Sequence, residues 1–242
     1  MNKRCILSLF FLLAGTALAD TFTLTDPFNQ PGDSDVIGDK MKFDIERAVI
    51  MFDPSMVTVS IRMNYDNPSL DPFTLDCLKL NIGDVLFEVN GVARFGVALH
   101  SHGSGSSAVT GGHVYEINDP AHGVLTARDV LGDPHGWTYR PDELVWLNNR
   151  NGYLTDLGAG TVNVKQLQYD GHNGPKYEIT TQFALPGDFP PAGSGMLAFR
   201  FAAATCANDV LKGNMVPEPG TIGLLGGGLL ALAFARRRFA RR

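Results

Sequence analysis

Four groups of side chains have types and spacings that could do chemistry. His100 and His102 flank Ser101, and His113 lies at the far end of a Gly/Ser-rich segment, 101–112. Histidines at i and i+2 on an extended chain face the same way. With a third ligand they could hold zinc or copper, although no glutamate sits beside them in a metallohydrolase pattern. Asp33, Asp35 and Asp39 alternate through a glycine-containing turn, with Asp44 just beyond. Carboxylates so spaced offer hard oxygen ligands to calcium. Asp209, next to Asn208, would complete that site if the start and end of the domain pair. The twelve-position EF-hand pattern is absent, and the other reading is a solvated acidic turn. Trp137, Tyr139, Trp146 and Tyr153, with Asn148, Asn149 and Arg150 among them, could stack on sugar faces and bond hydroxyls, or could belong to the core. Glu88, Glu116, Asp142 and Glu143 could supply the two carboxyls a glycosidase needs across a cleft. None of them stands in a distinctive motif. No Gly-x-Ser-x-Gly elbow, phosphate loop or Cys/His nucleophile setting occurs, so no enzyme is expected, and a glycoside hydrolase is the alternative.

The elements that must position these groups follow a period of two. Segments 43–51 and 57–63 read as adjacent strands joined near Asp53-Pro54. Segments 84–89 and 92–99 read as a hairpin around Asn90-Gly91. Further strands are expected at 113–117, 162–169, 177–185 and 196–204. Many strands, 27 glycines, 14 prolines and no long amphipathic helix predict an all-β, antiparallel sandwich or jelly-roll-like domain. Segment 101–112 is the best candidate for disorder within it, and 207–219 reads as a stalk.

The two ends of the chain read as targeting segments. Lys3 and Arg4, an apolar run from Ile6 to Leu13, and Ala17-Leu18-Ala19 form a secretory signal peptide over 1–19. A lipoprotein cleavage cysteine is lacking, because Cys5 is misplaced. Once Cys5 is removed, Cys77 and Cys206 remain. In an oxidising compartment an even count points to a bridge, worth about 4–5 kcal/mol in the chain-entropy model. The alternative is two separate buried thiols. The segment 20–216 holds 13 Lys+Arg against 24 Asp+Glu, a net charge of −11. Such acidity argues against nucleic acid and anionic membrane surfaces as partners.

At the C-terminus, Val216-Pro217-Glu218-Pro219 is followed by an uncharged run over about 220–235 and then by Arg236, Arg237, Arg238, Arg241 and Arg242. As a helix the run reaches about 24 Å, short of the roughly 30 Å hydrocarbon core unless flanking residues snorkel. Five arginines beyond the span favour a cytoplasmic C-terminus. This tripartite tail resembles the PEP-CTERM sorting signal of Gram-negative bacteria. The resemblance implies export through the secretion translocon, transient anchoring, and processing by an exosortase, with release or attachment at the cell surface. The expected layout is signal peptide 1–19, ectodomain 20–206, linker 207–216 and sorting signal 217–242. The expected role is a non-catalytic surface or matrix protein that binds exopolysaccharide, the alternative being a secreted hydrolase acting on such a polymer.

Overall fold

The computed structural model describes residues 20–26, 44–64, 73–75, 78–132, 139–167, 176–191, 196–203, 207 and 209–215. The signal peptide, Asp33, Asp35, Asp39, Cys77, Cys206, Trp137 and the tail from Val216 lie outside these residues. The chain opens with β1 (Asp20–Thr25), β2 (Ile45–Phe52) and β3 (Met56–Asn64), then a short hairpin of β4 (Phe73–Leu75) and β5 (Leu78–Leu80). There follow β6 (Val85–Val89), β7 (Val92–Val97), β8 (His113–Ile117), β9 (Val124–Thr126), helix α1 (Ala127–Leu131) and β10 (Leu144–Leu147). The last strands are β11 (Leu154–Ala159), β12 (Thr161–Gln166), β13 (Lys176–Ala184), β14 (Leu197–Ala202) and β15 (Val210–Asn214).

Two antiparallel sheets carry the fold, ordered β1-β2-β3-β13-β12 and β11-β8-β7-β6-β14-β15. They pack face to face because alternate residues of each are apolar: Ile50, Val59, Ile61 and Ile179 from the first meet Val85, Phe87, Phe95 and Phe199 from the second. Phe87 sits at the centre, edge-on to Phe183, Phe189 and Phe199 at 5.9, 5.3 and 6.0 Å. Edge-on geometry sets the positive rim of one ring against the negative face of the next, worth about 0.5–1.5 kcal/mol per pair beyond burial.

The middle of the six-stranded sheet is buried on its other face as well. Leu86, Ala98, Tyr115 and Ile117 on that face pack against Val124 of β9 and Leu147 of β10, while Ala202 meets Ala127 and Val145. A flap made of β9, α1 and β10 therefore forms a third layer. It can lie close because Gly96 of β7 has no side chain: a Cβ there would stand 2.6 Å from Leu147 Cδ2. Arg200 fastens the edge of the flap, its Nε 2.6 Å from Glu88 Oε1 and its Nη1 2.6 Å from Glu143 Oε2.

The all-β, antiparallel expectation holds, and the hairpin turns at Asn90 (φ 54°) and Gly91 (φ 78°) as the Asn-Gly pair requires. Two expectations change. Segment 101–112 is folded: His102 and Val109 exchange backbone hydrogen bonds of 3.1 and 2.9 Å, Val109 is buried, and Gly111 N–H donates to Ser101 Oγ at 2.9 Å. Residues 210–214, expected in the linker, form β15, because Val210 and Leu211 are apolar and β14 offers an unpaired edge.

Candidate functional site

The entry to β6, the segment after β7 and the flap strand β10 meet around Asp84. Its backbone N–H donates to Val145 O at 2.8 Å, holding the residue under β10 just before β6 begins. Its carboxylate then accepts Leu99 N–H on Oδ1 at 3.1 Å and Leu147 N–H on Oδ2 at 2.9 Å. Asp84 is 1% exposed. Burial pushes its pKa up to about 6, against the opposing pull of His102 and of the two backbone donors. An ionised Asp84 therefore calls for positive charge beside it.

His102 lies in that position. Its Nε2 is 3.5 Å from Asp84 Oδ2 and 3.0 Å from Leu147 O, and its Nδ1 is 3.0 Å from His100 O. Trp146 of β10 covers it, ring against ring at 4.7 Å and 20°, and the indole Nε1 is pinned to Ile82 O at 3.0 Å. His100 approaches both rings, at 5.1 Å from His102 and 5.4 Å from Trp146. One ligand atom from each of Asp84, His100 and His102 falls within 4.8 Å of the others. His100 and His102 thus lie together, and Asp84 joins them from 16 residues upstream. His113 does not join: its Nδ1 pairs with Asp156 Oδ2 at 2.8 Å across β8 and β11.

The other candidates separate. Asp209 is buried, with Oδ2 accepting Ile45 N–H at 2.6 Å and Oδ1 accepting its neighbour Val210 N–H at 2.8 Å. The end of the domain does meet the start of β2, while its three proposed calcium partners lie outside the described residues. Of the four carboxylates considered for catalysis, Glu88 and Glu143 share Arg200, Glu116 pairs with Arg94 at 3.7 Å, and Asp142 pairs with Arg128 at 3.1 Å. Tyr139 packs against the core and donates its hydroxyl to Gly132 O at 2.9 Å.

Immediately after Leu147 the chain turns outward and lines an open cleft of about 240 Å³ between β9 and the start of β11. Tyr153, His122, Asn148, Arg150, Asn151 and Asp129 border it. The His122 and Tyr153 rings stack at 5.4 Å, and Asp119 Oδ2 holds His122 Nδ1 at 2.9 Å. Asn148 Nδ2 donates to His122 O at 2.7 Å, and Asn151 Nδ2 donates to the Tyr153 hydroxyl at 3.2 Å. Neither Tyr139 nor Trp146 borders this cleft. Tyr153 and Arg150 were visible in the sequence as part of the aromatic stretch, whereas His122 and Asp129 carried no signal.

Comparison with known proteins identifies the tail. Residues 216–238 match the PEP-CTERM protein-sorting motif. The chain therefore carries a PEP-CTERM sorting motif at its C-terminus, which implies export and processing by an exosortase. No curated protein and no solved structure matches the chain. Among the described residues no helix is long and apolar enough to cross a membrane, and the run 220–235 lies outside them.

Proposed function

We propose that the exported domain is a non-catalytic surface or matrix protein that binds a neutral polysaccharide in the cleft beside Tyr153. The observation carrying this reading is the composition of the cleft: a stacked aromatic pair, two carboxamides and a guanidinium on one open, concave surface. Such groups suit a sugar ring, which offers an apolar face to an aromatic and hydroxyls to amides. The ectodomain's charge of −11 favours a neutral or cationic polymer over an acidic one. The engagement of Glu88, Glu116, Asp142 and Glu143 by arginines favours binding over hydrolysis. The exosortase and the secretion translocon are the partners that deliver the domain.

A glycan array probed with the purified chain tests this. The expected result is retention of a neutral glycan, lost in Tyr153→Ala and in Arg150→Ala variants that melt normally. Retention of no glycan sinks the reading. Release of reducing ends from the retained polymer would instead establish the hydrolase.

A further inference from the structure

The contacts of His102 set a question that hydrogen bonding alone does not answer. Carbonyl oxygens only accept, and each ring nitrogen faces one at 3.0 Å, Nδ1 the His100 oxygen and Nε2 the Leu147 oxygen, so a neutral ring with its hydrogen on Nδ1 satisfies only the first. In the neutral ring Nε2 then presents a lone pair to two oxygens, Leu147 O at 3.0 Å and Asp84 Oδ2 at 3.5 Å. That arrangement is repulsive unless a cation stands among them. A proton on Nε2 would serve, and it needs only one imidazole. The site supplies a second: His100 brings a ring nitrogen within 4.8 Å of the other two donors, and both its ring nitrogens are closed to solvent.

We propose that Asp84, His100 and His102, with the Leu147 carbonyl completing the shell, bind one divalent cation of the zinc type. Two imidazoles and a carboxylate are borderline donors suited to zinc. The separation of 3.5 Å between His102 Nε2 and Asp84 Oδ2 leaves room for an ion about 2.0–2.1 Å from each. The surroundings are those of a ligand sphere already held in place. His102 Nδ1–H on a backbone carbonyl fixes the tautomer that offers Nε2. Leu99 and Leu147 N–H groups orient the carboxylate. The side chains of His102 and Asp84 are 5% and 0% exposed, and Trp146 roofs the site. A closed shell of this kind is structural rather than catalytic. Its ligands come from the entry to β6, from segment 98–112 and from β10, so the ion fastens the flap to the sheet. The inference stands whether or not the cleft binds sugar.

The test uses the full chain purified without chelator or affinity histidines, its metal content measured by mass spectrometry. The chelated chain is then titrated with zinc chloride and with cobalt chloride. The expected result is one zinc per chain, a visible cobalt spectrum of the four-coordinate type, and a melting temperature that rises with free zinc. His100→Gln and His102→Gln should each weaken zinc by at least about 100-fold, the upper end of what disturbing a supporting residue costs. His113→Gln should bind as the wild type does. If His102→Gln fails to fold, His100→Gln decides the matter. A folded wild-type chain that takes up no zinc overturns the proposal and leaves the proton as the only cation. Wild-type affinity in folded His100→Gln overturns it equally.

Discussion

The two sheets share one core but differ on their outer faces. The five-stranded sheet turns its outer face to water. There Ser60 and Thr180 hydroxyls meet at 3.3 Å, Gln182 reaches Thr58 at 3.4 Å, and Glu46 receives Arg62 at 3.0 Å and Lys176 at 3.1 Å. These are cross-strand pairs of the ordinary kind, each worth a fraction of a kcal/mol. The six-stranded sheet turns its outer face to the flap. There a carboxylate, two imidazoles, an indole and an Arg200 network must find partners in the dark. Water forgives an imperfect polar pair, and a second covering layer does not. Chemistry has accumulated where the fold could not leave polar groups loosely paired.

Breaking this contrast should produce effects of unequal size. The largest is expected at Arg200, whose side chain is 18% exposed and bound by two carboxylates. Arg200→Met would strand Glu88 and leave Glu143 with Lys212 alone, at 3.3 Å, and should cost about 2–3 kcal/mol in urea unfolding, less than for a fully buried pair. Arg62→Met on the open face, where both partners are 30% exposed, should cost less than about 1 kcal/mol. Equal losses in the two variants would abolish the distinction drawn between the faces.

A second substitution probes the shared core. Thr181 is 1% exposed, and among the described residues its Oγ1 has no hydrogen-bond partner. Thr181→Val keeps the shape, removes a buried hydroxyl and should raise stability by about 1 kcal/mol. A fall in the urea midpoint would mean that the hydroxyl is satisfied after all.

The smallest effect is expected in the flap itself. Thr126 caps α1, its hydroxyl accepting Asp129 N–H at 3.3 Å while Asp129 Oδ2 takes Thr126 N–H at 2.8 Å. Thr126→Ala should cost about 0.5–1 kcal/mol. The Thr126 backbone N–H and then its hydroxyl hold the Asp129 carboxyl below its ordinary range. A depressed folded pKa gives stability that is present above the unfolded value of about 4 and is lost as pH falls through the folded one. The stability gap between wild type and Asp129→Asn should therefore close below about pH 4. A gap that persists unchanged into acid would mean that the box does not depend on the carboxylate.

The same contrast explains what could be read from the chain. Strands with one wet face announce themselves by alternation, as in Val57, Val59 and Ile61: the readings 57–63 and 177–185 fall within a residue of β3 and β13, whereas 162–169 overruns β12 by three residues and β1 was not read. The hairpin was given by Asn90-Gly91. The flap was missed because β9 and β10 are three and four residues long, too short for a period to show. Its covering of the sheet had left one trace, the unbroken apolar run Val85-Leu86-Phe87, which marks a strand buried on both faces. Of the cluster, His100 and His102 were legible because they are neighbours in sequence. Asp84 was not: it reads as the first residue of the strand 84–89, and only the approach of β10 to the entry of β6 makes it a buried carboxylate. β15 was hidden by Asn208-Asp209 and Lys212-Gly213-Asn214, which have the composition of a stalk.

That last strand has a mechanical consequence. Met215 is fully buried and its N–H is hydrogen-bonded to Leu197 O at 2.8 Å, and the sorting motif begins at the next residue. Val216 to Pro219, fully stretched, can span no more than about 14 Å. If the uncharged run 220–235 enters the membrane, the leash between lipid and folded domain is a few residues long. A tether of that length would keep the acidic domain close to the headgroups. An enzyme cutting at the motif would then have to work in that narrow gap.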